Sequence, residues 1–346
     1  MEVVEKFSSP GFYSRFFVVP KKTVGKWRSI LDLHVLNRDH IRTQRFKMDT
    51  AELVRQDLKE GDWATSVDLT DAYFQVKIHV NSRKYLRFGI LGKVYQFRAL
   101  VMGLSPSPEV FTMVGKPLKI YLQKRGVHIR QYLDDWLIFS GREDLTVAHT
   151  QLVVQVARQL GFLLNEEKSE LNPKQSFLFL GYWFDLAQGI VRVNDDRWAK
   201  IQSCILPFLQ KGTRQTALKW QSLLGLLVST EKLVPRGMWH LRALQLALQD
   251  MWDQRNDSQE QLLPVSDQVR EALTWWTIPA NVCGGVPLAE GLATLQVFTD
   301  ASLEGWGGHL NFQTVRGIWD IQERNLHINV LEMLAVLKVL KHFLHV

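Results

Sequence analysis

Apolar residues alternate with polar ones in short runs along the first half of the chain, and recur at third and fourth positions in longer runs further on, the signatures of strands and helices. Residues 11–40 are expected to form two strands joined by a Gly-containing turn, with basic residues clustered around it. TAELVRQDLKE, residues 50–60, is expected as a helix ended by Gly61, and SVDLTDAYFQVKIHV, residues 66–80, as a strand that gives way to a helix-like turn after Asp68. Residues 84–102 predict a hairpin turning at Leu91 and Gly92. SPSPEVF predicts a helix from Ser105, because it opens with N-cap and N1-type residues. RQYLDDWLIFSG, residues 130–141, has strand-like flanks around two adjacent aspartates; a helix over 144–160 and a hairpin over 176–193 follow. This order predicts an α+β domain, an antiparallel sheet with helices on one face.

From about Asp195 the pattern changes to helices rich in Leu, Gln and Trp, whose apolar residues suit packed helical faces. The tryptophans there are expected as core or interface packing. NDSQEQLLP and IPANVCGGVPLAEG are the candidate linkers. LQVFTDASLEGWGGHL then predicts a strand, a Gly-rich turn and a second strand, and HINVLEMLAVLKVLKHFL a strong helix.

Composition adds bounds. A chain of 346 residues suggests two or three domains. With 46% hydrophobic and 22% charged residues it is an ordinary globular protein, and its formal charge of +7 draws polyanions. Cys204 and Cys283 lie far apart without metal-ligand spacing, which argues against a disulfide framework or a zinc site and for a reducing compartment. The sequence shows no signal-peptide pattern and no apolar run long enough to span a bilayer, so a soluble intracellular protein, cytoplasmic or nuclear, with no membrane partner is expected.

The candidate chemistry centres on Asp134 and Asp135. Alone, the pair is no more than the polar tip of a hairpin. Neighbours on a regular strand face opposite ways, so both serve one site only at a turn, or with one in the lead. Asp68, ending an apolar-flanked strand, is a third carboxylate that a neighbouring strand would bring to Asp134. Two Mg²⁺ ions about 3.5–4 Å apart can drive an in-line phosphoryl displacement, and such ions take carboxylates, waters and substrate phosphates as ligands. Lys21, Lys22, Lys26 and Arg28 cluster on the first hairpin, where they are either a solvated basic surface or a face toward a triphosphate.

KKTVGKWRSILDLHVLN, VDLTDAYFQVKI, FRALVMGLSPSPEVF, YLDDWLIF, LNEEKSEL and FLFLGYWF, taken in order, resemble the motifs of reverse transcriptases over residues 11–193. The likeness is to retroviral and hepadnaviral enzymes and most closely to DIRS-type and Ngaro-like retrotransposons. It implies a right-hand polymerase: fingers and antiparallel-sheet palm over 1–193, a helical thumb and connection over 194–290, and a partial ribonuclease H-like α/β fold over 291–346. The implied metal ligands are Asp68, Asp134 and Asp135, with Asp134 direct and Asp135 more supportive, binding two Mg²⁺ or Mn²⁺. Lys21 and Arg28 match the triphosphate pair, Asp71 and Ala72 lie beside the nucleotide, and Tyr73 matches the gate against a 2′-hydroxyl. Lys168 matches a proton donor to pyrophosphate. Phe179, Leu180, Gly181, Tyr182 and Trp183 resemble the hairpin that grips the primer end.

Two departures stand out: Val101 replaces the usual proline of the Leu100–Gly103 stretch, although Met102 has a hepadnaviral counterpart, and Trp27, Arg28, Ser29 and Ile30 are closer to the retroviral form than to the DIRS-type one. FTDAS and VLEML resemble the first acidic positions of ribonuclease H, Asp300 and Glu332, while Asn329 to Glu332 also has capping-box spacing. No Asp or Glu follows Glu332, so this module is expected to be truncated and inactive alone. The implied partners are an RNA or DNA template with primer and deoxynucleoside triphosphates, and the resemblance allows for a larger polyprotein. A decayed or domesticated nucleic-acid-binding descendant, an RNA-dependent RNA polymerase and a nuclease acting through Asp300 and Glu332 are the competing readings. The intact aspartate set opposes the first, Tyr73 the second and the missing carboxylates the third.

Overall fold

The computed structural model describes residues 4–6, 10–20, 25, 27–42, 46–289 and 294–344. The chain divides into two compact units, 1–289 and 290–346.

At the centre of the first unit is a four-stranded antiparallel sheet in the order His128–Tyr132, Asp135–Ser140, Trp63–Asp68, Glu170–Lys174. Helices Ser107–Gln123 and Glu143–Gln159 cover one face, where Val67, Trp136 and Ile138 pack with Phe111, Leu118, Leu122 and Val153. On the same face the hydroxyls of Thr65 and Thr150 lie 2.6 Å apart. The other face is covered too. There Ala64, Leu137 and Phe139 join Val54, Phe179, Phe184 and Val191, and a second sheet runs in the order Ser176–Phe179, Tyr182–Asp185, Ile190–Val193, Val286–Pro287. Burial on both faces explains why WLIF, residues 136–139, is continuously apolar where a one-sided strand would alternate.

Strands Arg15–Pro20 and Trp27–Asp32 pair as the first hairpin, with Val19 opposite Arg28. Lys21, Lys22 and Lys26 lie outside the described residues. The hairpin of Arg87–Ile90 and Lys93–Phe97 turns where expected, with both Leu91 (φ 49°) and Gly92 (φ 72°) left-handed, as a tight two-residue turn requires.

Helices Asp195–Leu209, Ala217–Val228, Gly237–Met251 and Asp267–Trp275 bury Ile205, Trp220, Leu244 and Leu273 in the same core as Leu137 and Phe139, which Trp276, just after the last helix, joins. Residue 193 is therefore not a packing boundary. Trp220 and Trp276 are core residues as expected, whereas Trp239 is exposed.

Three local expectations are corrected. The helix expected from Ser105 begins at Ser107, with Pro106 at its N-cap and no side-chain cap; Ser105 precedes it, its N–H donating to Asn37 Oδ1 at 3.0 Å, and the Ser107 hydroxyl donates to the Val101 carbonyl at 2.9 Å. The first linker candidate contains Leu262–Pro264, a strand paired with Arg214–Thr216 that buries Leu263. The second contains helix Pro279–Val282 and strand Val286–Pro287, with Val282 and Leu288 buried.

In the second unit, strands Val297–Ala301, Gly305–Leu310 and Gln313–Ile318 form an antiparallel sheet. Helix Ile328–Phe343 packs Leu331, Ala335, Val339 and Phe343 with Leu310 and Trp319. A Cβ on Gly308 would lie 2.6 Å from Val339, so glycine is what allows the helix this close. The cap of this helix is His327, whose Nδ1 accepts from the Asn329 N–H at 3.2 Å; the Asn329 to Glu332 capping box does not form. No helix among the described residues is long and apolar enough to cross a membrane.

The end of the first unit is fastened by Arg55 on helix Ala51–Asp57. Its guanidinium is largely buried and donates to the Pro287 carbonyl (2.8 Å from Nη2, 3.2 Å from Nε) and to the Leu288 carbonyl (3.2 Å). Arg55→Ala leaves these carbonyls without their donor and is expected to lower unfolding stability by about 1.5–3 kcal/mol. Denaturant titration of the two proteins measures it; a difference near zero would show that water replaces the guanidinium.

Candidate active site

Strand pairing decides where the aspartates go. Asp68 is the last residue of Trp63–Asp68 and pairs with Asp135, the first of Asp135–Ser140. Asp68 shares its face with Ala64, and Asp135 with Leu137 and Phe139, so the two carboxylates lie side by side with Cβ atoms about 4.5–5.5 Å apart by strand geometry. Because Tyr132 pairs with Asp135, Leu133 and Asp134 form a two-residue turn. Leu133 is left-handed (φ 54°), a conformation that favours glycine, and costs roughly 1–2 kcal/mol in other residues. Two bonds hold the turn. Trp136 Nε1 donates to the Leu133 carbonyl at 3.0 Å, and the Leu69 N–H donates to the Asp134 carbonyl at 3.0 Å.

Opposite the turn, the segment after Glu143–Gln159 is tied to the end of Trp63–Asp68. The Asn165 N–H donates to the Asp68 carbonyl at 2.8 Å, and the Asp68 N–H to Ser169 Oγ at 3.0 Å. Lys168 Nζ is thereby brought 3.9 Å from the Asp68 carboxylate. The next turn is held by Gln75, which donates to the Thr70 carbonyl at 2.7 Å and accepts from the Leu163 N–H at 2.9 Å.

These elements enclose a cavity of about 580 Å³ lined by Arg28, Asp68, Asp71, Ala72, Tyr73, Met102, Asp134 and Lys168 together with Leu69, Thr70, Leu133 and Asn165. Asp71 is left-handed (φ 45°) and precedes the 3₁₀ turn Ala72–Gln75 that carries Tyr73. The Tyr73 ring stands edge-on to Phe111, centroids 5.9 Å apart. Burial, helped by Asp134 and Tyr132, pushes the Tyr73 hydroxyl up to about 12, so it is neutral.

The carboxylates perturb one another. Burial, then the charges of Asp134 and Asp68, push Asp135 up to about 6. Asp68 is also raised, chiefly by burial and with a contribution from Asp134, against the opposing effects of Lys168 and the hydrogen-bonded Asn165 amide. Among the described residues no group of three or more His, Cys, Asp or Glu side chains forms a ready-made metal cage. An all-carboxylate set that disfavours its own charge nonetheless fits hard divalent cations completed by waters and substrate phosphates.

Other expected site residues lie elsewhere. Phe179 to Trp183 belong to the hairpin of the second sheet and do not line the cavity. Asp300 lines an open hollow with Ser302, Glu304, Trp306 and Arg316, and Glu332 is not among its lining residues. Asn165 was not expected from the sequence; its only signal is that it precedes Lys168 by three positions, where its side chain accepts the Lys168 N–H at 3.3 Å.

Comparison with known proteins bears on this geometry. Residues 19–184 match the family described as reverse transcriptase (RNA-dependent DNA polymerase). The chain is 30% identical over 154 residues to the Gag-Pol polyprotein of bovine immunodeficiency virus (strain R29), covering 42% of this chain and 10% of that one. It is 23% identical over 363 residues to the enzymatic polyprotein of cauliflower mosaic virus (strain CM-1841), covering 99% of this chain and 50% of that one. The chain thus spans half or less of the length of these relatives. Its fold matches a foamy viral protease-reverse transcriptase solved with double-stranded DNA (TM-score 0.70, 18% identity, 99% of this chain and 57% of that one). It also matches the same kind of enzyme solved with an RNA/DNA hybrid (TM-score 0.68, 18% identity, 99% and 44%). The chain has the fold of a retroviral polymerase, and its residues 19–184 match the reverse transcriptase family.

Proposed function

We propose that the chain is an RNA-directed DNA polymerase of a DIRS-type or Ngaro-like retrotransposon, adding deoxynucleotides to a primer 3′-hydroxyl along RNA or DNA with release of pyrophosphate. The observation that carries this reading is the meeting of Asp68, Asp134, Arg28, Lys168 and Tyr73 around one cavity. Residues 1–193 serve as fingers and palm, 194–290 as thumb and connection, and 291–346 as a ribonuclease H-like module bearing Asp300 and Glu332. Cleavage of RNA by those two carboxylates is not part of the proposal. The relatives are polyproteins, which favours a larger polyprotein as this chain's setting. The nucleic acids in the two solved relatives favour a primer–template duplex as its partner.

Asp68 and Asp134, with Asp135 against Asp68, would hold two Mg²⁺ or Mn²⁺ ions. When bound, such ions supply activation of the attacking hydroxyl and stabilisation of the leaving oxygen. The remaining work is positional. Arg28, with Lys21, neutralises the triphosphate from the finger side. Ala72 and Asp71 form the floor beside the sugar, and Met102 flanks the nucleotide. Tyr73, braced against Phe111, fills the space that a 2′-hydroxyl needs. Lys168, beside Asp68, gives its proton to the departing pyrophosphate oxygen.

Primer extension on oligo(dT)–poly(A) with Mg²⁺ tests the reading. Wild type is expected to extend the primer and Asp134→Asn to lose at least about a thousandfold in rate, the loss typical of removing a charge-stabilising group. A well-folded wild type that binds the duplex without extending it would point to a non-polymerising descendant. Tyr73→Ala is expected to raise incorporation of ribonucleotides relative to deoxynucleotides by about tenfold or more; unchanged selectivity removes the gate role.

The pH behaviour of Asp135 supplies a further check. Its pKa is about 6 when folded against an ordinary 3.8, so its contribution favours folding below pH 4 and is lost as pH rises through 6. In EDTA, Asp135→Asn should stabilise the protein at pH 8 by about 1–2 kcal/mol after allowance for solvent screening, and the gain should vanish near pH 4. Denaturant titrations at the two pH values measure this. An equal gain at both would mean that carboxylate charge is not its source.

A further inference from the structure

The hairpin Ser176–Phe179 and Tyr182–Asp185 turns through Leu180 (φ 48°) and Gly181 (φ 83°), both left-handed. Leucine is poorly suited to the first of these positions, and this turn, unlike that at Leu91 and Gly92, receives a side-chain hydrogen bond from outside the hairpin. It comes from Asn194. Its Nδ2 donates to the Gly181 carbonyl at 3.0 Å, while its Oδ1 accepts the Arg197 N–H at 2.7 Å and so caps helix Asp195–Leu209. Aspartate would cap as well as asparagine and suit the helix dipole better; what asparagine adds is the amide donor that reaches the turn.

Arg197 continues the tie. Its Nη1 donates to the carbonyl of Ser229 at 3.2 Å and approaches Ser229 Oγ at 3.4 Å, at the C-terminal end of helix Ala217–Val228, where a cation is favoured. The same guanidinium borders Gly181, since a Cβ there would lie 3.3 Å from Nη2. One polar chain therefore runs from the turn through the helix cap to the end of a second helix.

We infer that Asn194 and Arg197 are positioning residues for the primer end, fixing the Leu180–Gly181 turn to helix Ala217–Val228. The inference rests on the polymerase reading and takes this hairpin, which resembles the family's primer-gripping hairpin, to hold the primer end. Neither residue lines the cavity around Asp68 and Asp134, so their effect falls on the primer and not on the nucleotide.

Asn194→Asp is the decisive variant, because it keeps the cap and replaces the donor to Gly181 with a carboxylate oxygen that the Gly181 carbonyl repels. Wild type and variant are compared by primer extension in the presence of a trap for free enzyme, by KM for dTTP, and by thermal melting. The expected result is product length per binding event reduced about tenfold, the scale of a small misplacement of a reacting end, with KM for dTTP and the melting temperature unchanged. Arg197→Lys, which keeps the charge but not the fork, should shorten products less. Wild-type product length in Asn194→Asp overturns the inference, as does a rise in KM for dTTP in proportion to the loss of length, which marks general loosening. A wild type that extends no primer in the same assay instead overturns the polymerase reading on which the inference stands.

Discussion

Two carboxylates side by side across neighbouring strands repel, and the architecture of the first unit is organised around holding them there. Directly opposed like charges destabilise a strand pair, and here burial adds to the penalty, as the rise of Asp135 to about 6 records. A sheet with one face in water could slip or fray at its end to separate them. This one cannot easily do so, because helices Ser107–Gln123 and Glu143–Gln159 cover one face and the core of Phe179, Phe184 and Val191 covers the other. A one-residue slip would drive every side chain of WLIFS to the wrong face of two cores at once.

Asp134 is placed by different means. It sits in a turn that its neighbour Leu133 makes unfavourable, and the surroundings over-determine that turn through Trp136 Nε1 and the Leu69 N–H. Trp136 is fully buried among the residues of the helix-covered face, so the turn inherits its rigidity from the core. The result is a carboxylate that is exposed to the cavity yet carried by backbone with little freedom to move. Its position depends in part on Trp136, a large apolar residue that does not line the cavity.

Much of this was legible in the sequence where the determinant is local. The Leu91–Gly92 hairpin follows from turn chemistry, the helix Glu143–Gln159 from periodicity, and the meeting of Asp68 with the Asp134 turn from the spacing of motifs on two strands. Tertiary partners hid the rest. Ser105 has the composition of a cap, but the helix begins two residues later with Pro106 at its N-cap, and Asn37, distant in sequence, bonds the Ser105 N–H. The segment holding Leu262 to Pro264 has the polarity of a linker because only Leu263 faces the core. Asn165 carries no catalytic signature at all; it matters through the backbone bond to Asp68 that the fold brings within reach.

Strand parity connects the site to the rest of the unit. Asp68 and Asp135 point to the same face as Ala64, Leu137 and Phe139, and that face packs on the core shared by the Ser176–Asp185 hairpin and the helices after Asp195. Val67, Trp136 and Ile138 point to the face that carries Phe111, and Phe111 in turn braces Tyr73. The Tyr73 ring, proposed to meet the sugar, is therefore supported from one side of the sheet, while the paired carboxylates and the hairpin proposed to hold the primer are supported from the other. The roles proposed for Tyr73 and for the hairpin thus rest on two separate apolar clusters, both of which include residues of the strands that carry the aspartates.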